Sequence, residues 1–148
     1  MAAVVGVWAA SVLASCVAHP IGPARTFDAY EGKATTTAES ARSAVQTVRL
    51  LADASSRGNA FGTYVGVAVS EQEDALDGLQ GTFRSIQPPD GEADELRREL
   101  DELLARALDH VIDVRVAVRR AQLHQLDVVA EPLEADAEDL EAFIEAHS

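Results

Sequence analysis

Residues 92–131 contain neither glycine nor proline, and apolar side chains recur along them at spacings of three and four. That spacing collects the apolar residues on one face of an α-helix. The members of this face are Ala93, Leu96, Leu100, Leu103, Ala107, Val111, Val114, Val118 and Ala121. The segment predicts one long amphipathic helix, the third in chain order, which reaches Leu126 or beyond and needs partners to cover its apolar face.

Two earlier segments show the same spacing. The first predicts a helix from about 37 to 56, which begins behind a capping box formed by Thr36 and Glu39. The second predicts a helix that starts near Asn59 and ends before residue 88. A strand is the alternative for residues 60–69, which are rich in β-branched side chains. No second strand is available to pair with it, so a helix is favoured.

A fourth helix is predicted from Glu131 and Pro132 to the C-terminus, because proline suits the first helical turn. Asp90 is the expected N-cap of the long third helix. Polar loops at 55–59 and 87–91 are short, and short loops join antiparallel neighbours. We therefore expect an all-α fold, an up-down-up-down antiparallel four-helix bundle, over residues 35–148.

Composition constrains the core and the partners of this chain. Aromatic residues make up only 5 % of the sequence, so the core should consist mainly of alanine, valine and leucine. The formal net charge of −13 argues against a nucleic-acid partner, because phosphates are bound by clustered lysine and arginine. A charged partner should therefore be basic, or a cation.

The first fifteen residues, MAAVVGVWAASVLAS, carry no charged side chain and end directly before Cys16, the only cysteine. They are fewer than the roughly 20 apolar residues that span a bilayer. One interpretation is a buried N-terminal helix with an incidental cysteine. The other is a secretory signal, in which a short apolar run ends in small residues.

The tetrapeptide LASC at 13–16 resembles the lipobox of bacterial lipoprotein signal peptides. The resemblance covers about the first sixteen residues. It implies that residues 1–15 are removed, that the thiol of Cys16 carries a diacylglyceryl group, and that the protein is held on the extracytoplasmic face of the cell membrane. Two or three acyl chains anchor durably, because each buried methylene contributes about 0.8 kcal/mol. Residues 16–34 are then the lipidated cysteine and a flexible tether, in keeping with two prolines and two glycines.

No motif in the chain predicts catalysis or a cofactor. Helical bundles hold di-iron sites with Glu-x-x-His pairs, and no glutamate stands three residues before any histidine here. The sequence also lacks a P-loop, a G-x-G-x-x-G turn and a G-x-S-x-G turn. His110 stands at the edge of the long apolar face, where a partly buried structural histidine is expected. We expect no enzymatic activity and no cofactor.

The second helix offers one candidate binding region. Gly62 and Gly66 are four residues apart and would let a neighbouring helix approach closely. The same two glycines, with Tyr64 and Gln72, could instead line a pocket for a small molecule.

The fourth helix offers another, because it is strongly acidic and holds no lysine or arginine. One predicted helical edge consists of Glu134, Glu138, Glu141 and Glu145. We expect this edge to face Arg115 and Arg119 of the third helix in weak surface ion pairs. Glu138 and Glu141 are the residues that a basic partner would contact.

Together these features predict the function of an envelope-anchored bacterial lipoprotein, which is not an enzyme and binds a protein partner through one face of its helical bundle. The alternative is an extracytoplasmic bundle that senses or binds a small molecule. A large pocket beside the second helix would favour the alternative. A closed core with exposed apolar side chains would favour the partner-binding function.

Overall fold

The structure is a computed structural model, and it describes residues 24–148. These residues form five α-helices and one turn of 3-10 helix, and no strand occurs among them. The helices are α1 (Phe27–Ser56), α2 (Gly62–Ser85), α3 (Gly91–Arg119), α4 (Leu126–Val129) and α5 (Pro132–Ala146), and the 3-10 turn is Leu123–Gln125. The prediction of an all-α fold is confirmed. None of the helices between 24 and 148 is both long enough and apolar enough to cross a membrane.

Helix α1 begins ten residues earlier than the sequence predicts. Thr26 is its N-cap, and the Thr26 hydroxyl accepts a hydrogen bond from the backbone N–H of Ala29. The predicted capping box is wrong, because Thr36 lies inside the helix and donates to the carbonyl of Gly32. The tether prediction is therefore wrong for residues 27–34. The proposed signal peptide, Cys16 and the first part of the tether lie outside the described residues.

The early start of α1 has a packing cause. Tyr30 is fully buried, and its ring lies 5.4 Å from that of Phe83 near the end of α2. Burying an aromatic side chain contributes about 1.5–3 kcal/mol, which exceeds the roughly 1 kcal/mol that Gly32 costs inside a helix. A contact between residues distant in sequence thus extends a helix through a segment with weak local preference.

Helix α2 starts three residues later than predicted, and residues 62–69 are helical rather than a strand. The predicted cap of α3 is confirmed, since the Asp90 carboxylate accepts from the backbone N–H of Ala93 at 2.9 Å. The predicted end of α3 is wrong. The helix stops at Arg119, and the chain continues through the 3-10 turn and α4 before α5 begins.

The ends of α1 and α3 use the same hydrogen-bond pattern. After α1, Gly58 has a φ of 74° and its N–H donates to Ser55, while Asn59 donates to Ala54. After α3, the same two bonds run from Ala121 to Val118 and from Gln122 to Ala117, and Ala121 has a φ of 56°. This is the Schellman motif, which favours glycine at the position of positive φ. Ala121 therefore occupies a glycine position.

We expect the Ala121→Gly variant to be more stable than the wild type by about 0.5–1 kcal/mol, because the left-handed conformation costs an alanine roughly 1–2 kcal/mol. Gly58→Ala should lose about 1 kcal/mol for the same reason, since a Cβ there meets no atom within 4 Å and only the backbone changes. Urea denaturation of both variants measures this. Equal shifts in the same direction would contradict the backbone argument.

The core consists mainly of alanine, valine and leucine, as the composition predicts. The fully buried large side chains are Tyr30, Phe83, Leu76, Leu100, Leu104, Leu126, Leu133, Leu140, Val45, Val48, Val65 and Val69. Helix α1 lies centrally and packs against α2, α3, α5 and the short α4. Leu126 of α4 and its C-cap Ala130 are buried, so this short helix closes one end of the core.

The contacts between helices define two ends of the molecule. At one end, which we call the near end, the start of α1 meets the end of α2 through Tyr30 and Phe83. The end of α5 lies there too, because Thr35 donates to the carbonyl of His147 at 3.0 Å. At the opposite end, the far end, the start of α2 at Gly62 meets the 3-10 turn at Leu123.

Candidate functional site

The four residues of the predicted binding region on α2 do not form one site in the structure. A Cβ at Gly62 would lie 2.9 Å from a methyl group of Leu123, and one at Gly66 would lie 3.5 Å from Val118. The sequence predicts close approach of a neighbouring helix at both glycines. In the structure a helix, α3, is the neighbour only at Gly66, whereas Gly62 contacts the 3-10 turn. Tyr64 is exposed, so these three residues do not enclose a pocket.

Gln72 lies away from them, in a groove of about 460 Å³ between α1 and α2. Hydroxyl residues of α1 form one wall of this groove, namely Thr36, Thr37, Ser40 and Ser43. Three of these hydroxyls already donate to the carbonyl one turn earlier in α1. The groove thus offers few free donors to a ligand.

The acidic helix α5 pairs with a different helix from the one predicted. Glu141 lies 2.8 Å from Arg42, and Glu134 lies 3.1 Å from Arg49, so this edge faces α1. Glu138 is exposed and forms no ion pair with any residue from 24 to 148. Of the two residues predicted to contact a partner, Glu141 thus pairs with Arg42, and only Glu138 has no cationic partner among the described residues.

The predicted pairing with Arg115 and Arg119 is wrong. Arg115 bonds to Glu73 of α2, and Arg119 lies exposed in the last turn of α3. The cause is the early end of α3. Residues 120–131 contain the 3-10 turn and α4, and α5 then contacts the middle of α3 through Asp136, which bonds to Arg106 and His110.

Asp136 of α5 is the buried acidic residue that connects α5 to the middle of α3. Its side chain is 1 % exposed, and its two oxygens bond to Arg106 at 2.8 Å and to His110 at 2.6 Å. Arg106 also contacts Asp139, which is exposed. The hydrogen bond with Asp136 is the main cause that raises the pKa of Arg106.

Sequence reasoning did not single out Asp136 from the other acids of this helix. A signal was present, because Asp136 stands three residues after Leu133 and four before Leu140, within the apolar face. An acid at such a position needs a partner, since a buried charge is costly unless paired. The partly buried state predicted for His110 is confirmed, and Asp136 is its partner.

The near end is tied together by polar contacts between helices distant in sequence. His147 lies 3.2 Å from Glu31, which connects the C-terminus to the start of α1. Arg84 of α2 bonds to Asp101 of α3 through two nitrogens, at 2.6 and 2.9 Å. This hydrogen bond raises the pKa of Arg84. These contacts hold the near end closed.

The far end carries exposed apolar side chains. The large exposed hydrophobic residues between 24 and 148 are Leu50, Phe61, Tyr64, Val67 and Val128. Phe61, the N-cap of α2, is 87 % exposed, and the exposed Tyr64 and Val67 stand three residues apart in the first turns of the helix. Large exposed apolar groups collected in one region are typical of an interaction surface.

A second feature of the far end is a groove of about 560 Å³ between α1 and the α4–α5 segment, which we call the acidic groove. Leu50 and Ala130 supply its apolar part, and Gln46 and Arg49 lie on the α1 side. Its carboxylates are Asp53, Asp127, Glu131 and Glu134. The groove thus combines an exposed leucine with an excess of negative charge.

Among residues 24–148, no group of three or more His, Cys, Asp or Glu side chains is arranged to hold a metal ion. In comparisons with known proteins, no family model, no curated protein and no solved structure matches this chain.

Proposed function

We propose that this protein is a lipid-anchored bacterial envelope protein without enzymatic activity, which binds a protein partner through the far end of its helical domain. The observation that carries the binding part is the position of the exposed apolar side chains. They lie at the far end, whereas Ala24, the first described residue, leads into the start of α1 at the near end.

The anchor is supported by the LASC motif and the uncharged apolar run before Cys16. Helix α1 has 30 residues, which corresponds to a length of about 45 Å. In a protein anchored at Cys16, the anchored segment would join the domain at the near end. Phe61, Tyr64 and Val67 would then lie about 45 Å from the first turn of α1. These side chains would then face a partner rather than the lipid surface.

An up-down-up-down four-helix bundle of α1, α2, α3 and α5 is part of this proposal. The contact of Tyr30 with Phe83, near the start of α1 and the end of α2, supports it. The bond from Gln80 to the carbonyl of Asp101 and the pairing of Arg106 with Asp136 support it for the other neighbours. In this arrangement α4 is an insertion that covers the far end of the core.

The anchor is tested by the Cys16→Ser variant, which removes the thiol that would accept the lipid. We expect the wild type to fractionate with the membrane and the variant to appear in the soluble fraction, with wild-type retention of a Ser11→Ala variant as the control. Metabolic labelling with a fatty acid gives a second readout, because only the wild type and the control should carry label. Equal membrane retention of the Cys16→Ser variant would disprove the anchor.

A small-molecule sensor is the second candidate, and the groove beside Gln72 favours it. Its volume lies within the range of about 300–1,000 Å³ that is usual for ligand sites. Because three of its hydroxyls are already bonded to the α1 backbone, we rank this function below partner binding.

A further inference from the structure

We infer that the acidic groove binds a basic amphipathic segment of the partner protein, which places an apolar side chain on Leu50 and lysine or arginine side chains against the carboxylates. This inference rests on the proposed partner-binding function and names the chemistry of the partner.

The apolar contact would be made by Leu50. Its side chain is 71 % exposed, although α1 buries the nearby Val48 and Ala52 completely. Ala130, the C-cap of α4, lies in the same groove and is itself buried. Leu50 therefore projects over a surface that is already closed beneath it, and an apolar side chain laid on it would be shielded from water.

The charged side chains of the groove predict that the partner segment is positively charged. The groove holds four carboxylates and a single guanidinium, that of Arg49. Arg49 pairs with Glu134, and Asp53 pairs with Arg57. Asp127 and Glu131 form no ion pair with any residue in the described part of the chain. Two carboxylates thus remain available beside an exposed leucine.

The groove suits a basic peptide better than a metal ion or an anionic lipid surface. No three acidic residues in the described range are placed as metal ligands, which argues against a bound cation. An anionic lipid surface would be repelled by the carboxylates. A groove between α1 and α5 with an apolar part and charged walls is the geometry in which amphipathic helices bind.

The test uses the full-length chain and a fluorescently labelled 18-residue amphipathic helical peptide of leucine and lysine. A peptide of the same composition in scrambled order is its control. Anisotropy titrations at 0.1 M salt compare the wild type with two variants that each remove two negative charges. One variant is Asp127→Asn with Glu131→Gln, inside the groove. The matched variant is Glu95→Gln with Glu102→Gln, on two exposed acids of α3 that lie outside the groove and form no ion pair within residues 24–148.

We expect the groove variant to weaken binding of the amphipathic peptide about tenfold and the matched variant to weaken it less than threefold. Leu50→Ser should also weaken binding, and its effect should persist at 1 M salt, where the Debye length falls from about 10 Å to about 3 Å and the charge effect disappears. Wild-type binding should favour the amphipathic peptide over the scrambled one.

Equal weakening by the two double variants would overturn the inference, because binding would then follow net charge alone. Absence of peptide binding to the wild type, or an unchanged affinity in Leu50→Ser, would overturn it as well. These outcomes are independent of the Cys16→Ser fractionation, so failure of the groove and failure of the anchored function are distinguishable. Helical circular dichroism of each variant confirms that the fold is retained.

Discussion

The Tyr30→Ala variant should lose about 3–5 kcal/mol of the free energy of unfolding, which is the usual range for truncating a buried aromatic side chain to alanine. Tyr30 is fully buried against Phe83, and its removal opens a cavity where the start of α1 meets the end of α2. Chemical denaturation of the full chain measures the loss. A chain that starts at Thr35 lacks Tyr30 altogether and should be similarly destabilised.

The control is Tyr30→Phe, which keeps the ring and removes only the hydroxyl. That hydroxyl is buried and has no hydrogen-bond partner among the described residues. Removing an unsatisfied polar group does not cost stability, so we expect this variant to equal the wild type or exceed it by about 1 kcal/mol. A loss above 2 kcal/mol in Tyr30→Phe would contradict the packing described for Tyr30.

The same pair predicts a difference at alkaline pH. Burial is the main cause that raises the pKa of Tyr30 above its ordinary value of 10.0. The unfolded chain therefore releases the phenolic proton at a lower pH than the folded chain. The contribution of the protonated Tyr30 side chain to the free energy of unfolding is fully present below pH 10. It declines as pH rises towards the raised pKa, by up to about 1.4 kcal/mol per pH unit. Tyr30→Phe should lack this part of the decline.

The second large effect should follow from leaving Asp136 without its partners. In the variant Arg106→Met with His110→Leu, the carboxylate stays buried and loses both of its hydrogen-bonded neighbours. Breaking a buried ion pair in this way costs about 3–5 kcal/mol. Urea denaturation at neutral pH measures the loss.

Two controls separate burial from charge. Asp139→Asn removes the exposed partner of the same arginine and should change stability by about 1 kcal/mol or less, since exposed pairs contribute little. Adding Asp136→Leu to the double variant replaces the whole network by apolar groups and should recover most of the loss. If the double variant and Asp139→Asn have similar stability, the buried position of Asp136 has no energetic role.

Prediction from the sequence worked where the signal was local. The Asp90 cap is a property of consecutive residues and is confirmed. The apolar spacing of α3 is confirmed for Ala93, Leu96, Leu100, Ala107, Val111 and Val114, which are buried. Leu103 and Val118 are only partly buried while Leu104 and Ala117 are buried, and Ala121 is exposed beyond the helix end, so these three members of the predicted face are wrong. At Gly62 the close neighbour is the Leu123 side chain of the 3-10 turn rather than the predicted helix. The anchor at Cys16 and the binding functions of Tyr64, Gln72, Glu138 and Glu141 stay predictions.

Prediction failed where the deciding contact joins distant residues. Thr36 and Glu39 have the spacing of a capping box, yet α1 continues backwards to Phe27 because Tyr30 packs on Phe83, 53 positions later in the sequence. The charges of α5 were expected opposite Arg115, and that expectation depended on where α3 ends.

Helical periodicity, the turns after α1 and α2 and the alanine-rich core were determined by the sequence alone, because 3.6-residue spacing and capping act within a few neighbouring residues. The tertiary structure alone decided where α1 begins, where α3 ends, which acids face α1 and which acid is buried. The physical reason is that burial and charge pairing depend on which distant side chains meet, and a contact such as Tyr30 with Phe83 outweighs the weak local preference at a helix end.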